Sequence, residues 1–258
     1  MPSPCVISLS MVKNEQDIIE PFIRHNSRYL DHMVILDNSS VDETRRITSD
    51  CASELKTIIL ADSDEFAYNQ PERMTRLLRD SQTTLFPDFV LLLDADEFIS
   101  AKDREALVRV LDRIPQGGAG LMPWRTFVHV PGEGEHSQED PPRSFRFRRA
   151  VELPLYRKAV LRPDRTHRSE LQIEFGNHAI RKVSGEPATT IVLDDVPLLH
   201  FPLRSRSQVI ANAVVGWMAH TARNPAARQE GIGDQWRDAF DRIAAAPLTD
   251  ADLCEMSM

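Results

Sequence analysis

The sequence predicts an α/β fold: a mostly parallel, Rossmann-like sheet flanked by helices, then a smaller mixed or antiparallel region and C-terminal helices. Three observations predict it. Through residues 1–100, short apolar runs alternate with segments apolar at helical spacing, the pattern of βαβ units. Phe89-Val-Leu-Leu-Leu93 is apolar throughout, as a strand buried on both faces must be. Polar residues follow each of four predicted strands, on the edge where open α/β sheets bind ligands.

Each element has its own signal. Val6 to Met11 reads as the first strand, and Lys13-Asn14-Glu15 as the loop after it. Ile18, Ile19, Phe22, Ile23, Tyr29 and Leu30 recur at helical spacing, with Pro21 early enough to be tolerated. Met33 to Leu36 is the second strand, closed by Asp37-Asn38-Ser39-Ser40. Ser40 and Glu43 have capping-box spacing and predict a helix to about Ser53. Thr57 to Leu60 is the third strand, stopping at Asp62-Ser63-Asp64-Glu65-Phe66. Pro71 opens a helix with Met74, Leu77, Leu78 and Leu85 on one side. Phe89 to Leu93 is the fourth strand, and Asp94-Ala95-Asp96-Glu97-Phe98 follows it.

Beyond Phe98 the pattern changes. A helix is expected from Asp103 to Arg113, and Pro131 to Pro142 reads as a polar loop. Strand-like runs follow at Ser144–Arg148, Tyr156–Leu161, Ile173–Phe175, His178–Val183, Thr190–Leu193 and Leu198–Phe201. They suggest an antiparallel or mixed appendage. Ser207 can cap a helix to about His220, a last helix is expected over Ile232–Ala245, and the tail is expected to fray.

The totals exclude several classes. With a net charge of −8 and a pI near 5.5, no nucleic-acid partner is expected. Cys5, Cys51 and Cys254 are scattered and odd in number, so neither a disulfide framework nor a zinc site is expected. Residues 1–12 lack a basic leader and no apolar run has transmembrane length, so a cytoplasmic location without a transmembrane segment is expected. Peripheral membrane contact stays open. There is no G-x-S-x-G elbow, no P-loop and no G-x-G-x-x-G, which disfavours triad hydrolases, P-loop kinases and Rossmann dehydrogenases.

Asp94 and Asp96 are the sharpest chemical signal. Residues at i and i+2 of an extended segment project the same way, so both carboxylates can serve one ion. A hard divalent cation, Mn²⁺ or Mg²⁺, that also grips a diphosphate fits such a pair. The plain alternative is that they cap a helix or stay solvated. The near-copy at Asp62 and Asp64 competes. Its strand is less apolar, so Asp62 is read as a nucleotide contact and Asp64 and Glu65 as solvated loop. By alternation Glu97 should point away from the ion. Asp37 can accept from a ribose hydroxyl or base N–H, or from its own backbone. His178 and His200 are late metal-ligand candidates, and His200 has the better context because Arg204, Arg206 and a helix start follow it. Arg204, and Lys158 inside an apolar run, are read as phosphate partners.

These residues also fall in a known order. Met11-Val-Lys-Asn-Glu15, Asp37-Asn-Ser-Ser-Val-Asp42-Glu-Thr44 and Leu93-Asp-Ala-Asp-Glu-Phe98 resemble the K-N-E, D-N-x-S-x-D-x-T and D-x-D-E-F motifs of bacterial family 2-like glycosyltransferases with the GT-A fold, near the family 92 branch. The likeness continues more loosely through Trp124-Arg-Thr-Phe127, Tyr156-Arg-Lys158, His178 and Leu199-His200-Phe201-Pro-Leu-Arg204, to about residue 218. It implies a metal-dependent transfer of sugar from a UDP- or GDP-sugar to a glycan or other acceptor hydroxyl, in surface polysaccharide or glycoconjugate synthesis. It places Asn14, Glu15 and Asp37 at the nucleotide, Asp94 and Asp96 at the metal and diphosphate, and His200 as the late metal-binding histidine. Phe201 stands where relatives have Tyr, and the lysine expected near Asn212 is missing. Glu139 and Asp140, in the acidic loop with Glu133 and Glu135, are candidate catalytic bases that nothing singles out. The expected layout is one domain over 1–246: nucleotide-binding half 1–100, acceptor-side half 101–204, C-terminal helices 205–246, and a tail 247–258. A nucleotidyltransferase, which would want a glycine-rich loop at Lys13-Asn14-Glu15, and a non-catalytic nucleotide-sugar-binding scaffold are the alternatives.

Overall fold

The computed structural model describes residues 3–62, 69–128, 144–152, 155–164, 171–186, 188–223 and 234–257. Strand and helix alternate at first: β1 (Val6–Val12), α1 (Ile19–Asn26), β2 (His32–Asp37), α2 (Thr44–Glu54), β3 (Ile58–Asp62), α3 (Gln70–Thr84) and β4 (Phe89–Leu92). Then come β5 (Glu97–Ile99), α4 (Arg104–Leu111), β6 (Ala119–Thr126), β7 (Arg157–Leu161), the pair β8 (Leu171–Ile173) and β9 (Ile180–Lys182), β10 (Thr190–Val192) and β11 (Leu198–His200). Helices α5 (Arg206–Arg223), α6 (Asp234–Ala245) and α7 (Asp250–Ser257) close the chain.

Among the described residues one sheet runs β3-β2-β1-β4-β7-β6-β11-β5, with β10 also on β6. The first four strands are parallel, and β7 is antiparallel to both β4 and β6. The second half is therefore not an appendage: β7 adds directly to β4 and continues the same sheet. β8 and β9 form a separate antiparallel pair.

Period-two alternation sorts the side chains onto two faces. Val6, Val12, Ile35, Phe89 and Leu91 pack with Phe22 and Ile23 of α1, while Ile7, Leu9, Val34, Val90 and Leu92 pack with Met74 and Leu78 of α3. Phe89 to Leu93 is buried throughout, as its unbroken apolar run requires. Val12 pairs with Asp37 and Asp37 with Asp62, so the carboxyl ends of β1, β2 and β3 are level.

Several local expectations fail for identifiable reasons. Ser40 makes no capping box: its Oγ accepts from the Asn14 N–H at 2.9 Å, and Asp42 Oδ1 accepts from the Thr44 N–H at 3.0 Å where α2 begins. Ser144–Arg148 is not a strand; its described pairing is one bridge between Arg148 and Phe127. Residues 175–177 form a 3₁₀ turn instead of extending β8. The tail does not fray into coil. It forms α7, and Leu248 and Leu253 bury against Val209 of α5.

Candidate functional site

Two loops at the carboxyl edge are laced together. Asn14 and Ser39 both adopt left-handed backbone, with φ of 56° and 57°. Asn14 Oδ1 accepts from the Val41 N–H at 2.9 Å, Lys13 Nζ donates to the Asn38 carbonyl at 3.0 Å, and Asp37 Oδ2 accepts from the Ser40 N–H at 3.1 Å. Asn14 is thus a staple between the loops. Asp37 is buried, and its Oδ1 has no hydrogen-bond partner among the described residues.

Between β4 and β5 the acids part company. Asp94 is ion-paired through Oδ2 to Lys158 Nζ, and its Oδ1 accepts from Asn177 Nδ2 at 3.1 Å. Lys158 is only 1% exposed and also donates to the Gly176 carbonyl at 2.9 Å. Burial alone would lower the lysine pKa, but Asp94 and Glu97 outweigh it and hold the ammonium above its ordinary value. Gly176 has φ of +71°, and a Cβ there would lie 2.5 Å from His178 Cδ2, so only glycine lets this turn present its carbonyl to Lys158.

Glu97 does point away from Asp96, into the protein. It is fully buried, accepts from Trp124 Nε1 at 2.7 Å and from the Asp94 N–H at 2.9 Å, and lies 3.6 Å from Lys158 Nζ. Burial pushes its pKa well above the ordinary glutamate value.

Asp96 faces the opposite way. Its Oδ2 lies 3.7 Å from His200 Nε2 and 3.8 Å from Arg204 Nη1. Burial raises its pKa, opposed by Arg204 and Lys158. The strand pairing explains the meeting: β11 runs between β5 and β6, and His200 sits opposite both Glu97 and Thr126. The imidazole stacks on Trp124, with ring centroids 4.0 Å apart, and its Nδ1 lies 3.2 Å from Thr126 Oγ1. Burial, with help from Lys158, pushes its pKa down to about 3, so the ring is neutral at ordinary pH. His178 is turned elsewhere: its Nδ1 bonds the Arg157 carbonyl at 2.9 Å and its ring stacks on Tyr156.

Arg204 is the hub of a second cluster. Its Nε and Nη2 donate to Asp17 at 2.7 and 3.0 Å, Nη2 also bonds Glu15, and Nη1 reaches the Phe201 carbonyl at 3.2 Å. Burial pushes Glu15 up to about 8, with Asp96 and Asp17 adding and Arg204 opposing. Phe201 is core, packed against Phe98, Phe127 and Phe145.

Of these groups Glu15, Asn38, Asp94 and Asp96 line a cleft of about 190 Å³, together with Gln70 and, from α5, Asn212. A second hollow of about 600 Å³ opens beside Asp37 between α2 and β3, reaching Arg45, Leu60 and Ala61. Within the described residues no helix is long and apolar enough to cross a membrane.

No family model matches the chain, and no curated protein matches it. The solved structures similar to it include residues 1–349 of S. aureus TarS, at 14% identity over 92% of this chain and 70% of that one, with a TM-score of 0.49. A mannosyltransferase from Pyrobaculum calidifontis, in complex with GDP-Man and Mn²⁺, aligns at 14% identity over 97% and 78%, with a TM-score of 0.46. Glucosyl-3-phosphoglycerate synthase from Mycobacterium tuberculosis, in complex with Mn²⁺, UDP and phosphoglyceric acid, aligns at 17% identity over 51% and 45%, with a TM-score of 0.32.

The structure brings Asp96 and His200 together and turns Asp94 onto Lys158 and Asn177. Among the described residues no three His, Cys, Asp or Glu side chains form one metal-sized group. Lys158 reaches the cleft only through Asp94, and Arg204 spends its fork on Glu15 and Asp17. Asp62 is described in its backbone, level with Asp37, but not in its side chain, and Glu139 and Asp140 lie outside the described residues. Asp17, Asn177, Thr126 and Glu152 were not singled out from sequence. Asp17 stands two places after Glu15 and Asn177 beside His178, which is the only local signal they carry.

Proposed function

We propose that the protein is a metal-dependent glycosyltransferase that moves a sugar from a UDP- or GDP-sugar to a glycan or other acceptor hydroxyl, in surface polysaccharide or glycoconjugate synthesis. The observation that carries this is the apposition of Asp96 Oδ2 and His200 Nε2, 3.7 Å apart, beside the carboxyl-edge cleft. A carboxylate oxygen and a neutral imidazole nitrogen at that separation suit two neighbouring positions around one divalent ion. Diphosphate oxygens and water complete such sites. Asp96 and His200 would hold Mn²⁺ or Mg²⁺, which when bound supplies positive charge to the departing nucleoside diphosphate.

The remaining roles belong to the chain's own groups. Lys158 and Asn177 fix Asp94 at the cleft wall. Arg204 holds Glu15 and Asp17, and with them the first loop. Asp37 Oδ1 offers a buried acceptor to a ribose hydroxyl or base N–H, and the hollow beside it gives a nucleoside room. Asn212 brings α5 to the cleft wall, where it would face a bound diphosphate.

The test is a thermal-shift panel with Mn²⁺ plus UDP or GDP, since ligand binding to the folded state raises its stability by mass action. Stabilisation by one such pair, lost in Asp96→Ala, supports the reading, and no shift with any pair sinks it. Release of nucleoside diphosphate from a UDP- or GDP-sugar panel then distinguishes an enzyme from a binding scaffold.

A further inference from the structure

We propose that Glu152 and Thr126 form a hydrogen-bond relay that sets which ring nitrogen of His200 carries its proton, leaving Nε2 bare toward Asp96. The value of this device rests on the proposed metal site. The relay itself stands on four distances within the ion-free protein.

Glu152 grips Thr126 with both oxygens: Oε1 accepts from the Thr126 N–H at 2.6 Å and Oε2 from the Thr126 hydroxyl at 2.8 Å. A hydroxyl has one proton to give and two lone pairs. With that proton on Glu152, Thr126 Oγ1 can only accept from its other neighbour, His200 Nδ1, at 3.2 Å. The reverse direction would set a carboxylate oxygen against a hydroxyl lone pair at 2.8 Å. Nδ1 therefore carries the proton. Nε2 is left with its lone pair 3.7 Å from Asp96 Oδ2, so two acceptors face each other with no ring proton between them. A cation placed there relieves that conflict, and a hydrogen-bonded second nitrogen is the usual support for a metal-binding histidine.

Packing holds the ring to this task. Trp124 stacks on the imidazole and is itself anchored through Nε1 to Glu97 Oε1 at 2.7 Å. The β6–β11 register places His200 directly opposite Thr126. Thr126 and Glu152 are positioning residues: they act through His200 and need touch no substrate.

The decisive experiment is ¹⁵N-histidine NMR on the full, ion-free chain, with His200 assigned by comparison with His200→Gln. The two ring nitrogens differ in shift according to which is protonated. The expected result is the Nδ1–H tautomer in the wild type and in Thr126→Ser. In Glu152→Gln the amide oxygen must stay on the Thr126 N–H, so the amide NH₂ faces Oγ1 and reverses the relay, giving Nε2–H. Mn²⁺ affinity, measured by calorimetry, should then fall about 10–100-fold in Glu152→Gln and Thr126→Val but hold close to the wild type in Thr126→Ser. An Nε2–H tautomer in the wild type overturns the relay, and so does a Glu152→Gln protein with unchanged tautomer. The wild-type spectrum decides even if a variant misfolds. The expected tautomers in a wild-type protein that binds no Mn²⁺ would uphold the relay and sink the metal site.

Discussion

The ammonium of Lys158 is ion-paired with Asp94 and stands 3.6 Å from the fully buried Glu97 Oε1. One cation thus compensates two acids, one in the cleft wall and one in the core. Lys158→Met keeps the length of the side chain and removes the charge. It should cost about 3–5 kcal/mol, the usual result of breaking a buried pair from one side. Chemical denaturation measures it, and a loss below about 1 kcal/mol would show that Glu97 does not need the lysine.

Arg204 should prove irreplaceable by lysine. Its planar fork bonds Asp17 through two nitrogens while a third contact reaches Glu15, and an ammonium cannot reproduce that geometry. Arg204→Lys should be destabilised, and Arg204→Met more so, by about 3–5 kcal/mol. Equal midpoints for wild type and Arg204→Lys in denaturant titration would contradict this account.

Metal choice can be predicted from the donors. An imidazole nitrogen beside a carboxylate suits Mn²⁺ better than Mg²⁺, which prefers oxygen and gives up its waters reluctantly. Mn²⁺ should therefore bind more tightly, and His200→Gln should narrow the gap between the two ions. A calorimetric titration showing Mg²⁺ preferred would argue against His200 as a ligand.

The neutral imidazole of His200 also predicts a pH effect on stability. In the unfolded chain this residue takes up a proton as pH falls through 6.5, but in the folded chain not until about 3. Its contribution is fully present above pH 6.5 and is lost as pH falls through that window. The wild type should lose stability more steeply than His200→Gln, by about 1.4 kcal/mol per pH unit at most. Parallel slopes in denaturation series at pH 6.5 and below would refute it.

The parallel half of the sheet was readable because its signals are local. Phe89 to Leu93 must be apolar to be buried on both faces, and turn-forming acids mark each strand end. The readings that failed involve patterns whose partners lie far away in sequence. Ser40 and Glu43 have capping-box spacing, yet Asn14 claims the Ser40 hydroxyl. Ser-Phe-Arg-Phe-Arg from Ser144 alternates like a strand, but Phe145 is buried among aromatics, Phe147 is half exposed, and among the described residues the pairing stops at the bridge between Arg148 and Phe127. Arg204 was legible as a cation at a helix start, but its partners were not. No window of sequence shows that Glu15 and Asp17 would meet it from the other end of the chain, nor that Glu152 would orient Thr126.

The place of β11 has a further consequence. It slots between β5 and β6 and delivers His200 and Arg204 to acids presented by the first hundred residues. During synthesis the N-terminal acids emerge long before either partner exists. A nascent or truncated chain ending ahead of Leu198 would carry Asp96, Glu15 and Asp17 without the guanidinium that bonds Glu15 and Asp17 and stands 3.8 Å from Asp96. The acids of the cleft edge therefore gain His200 and Arg204 as neighbours only once β11 has taken its place between β5 and β6.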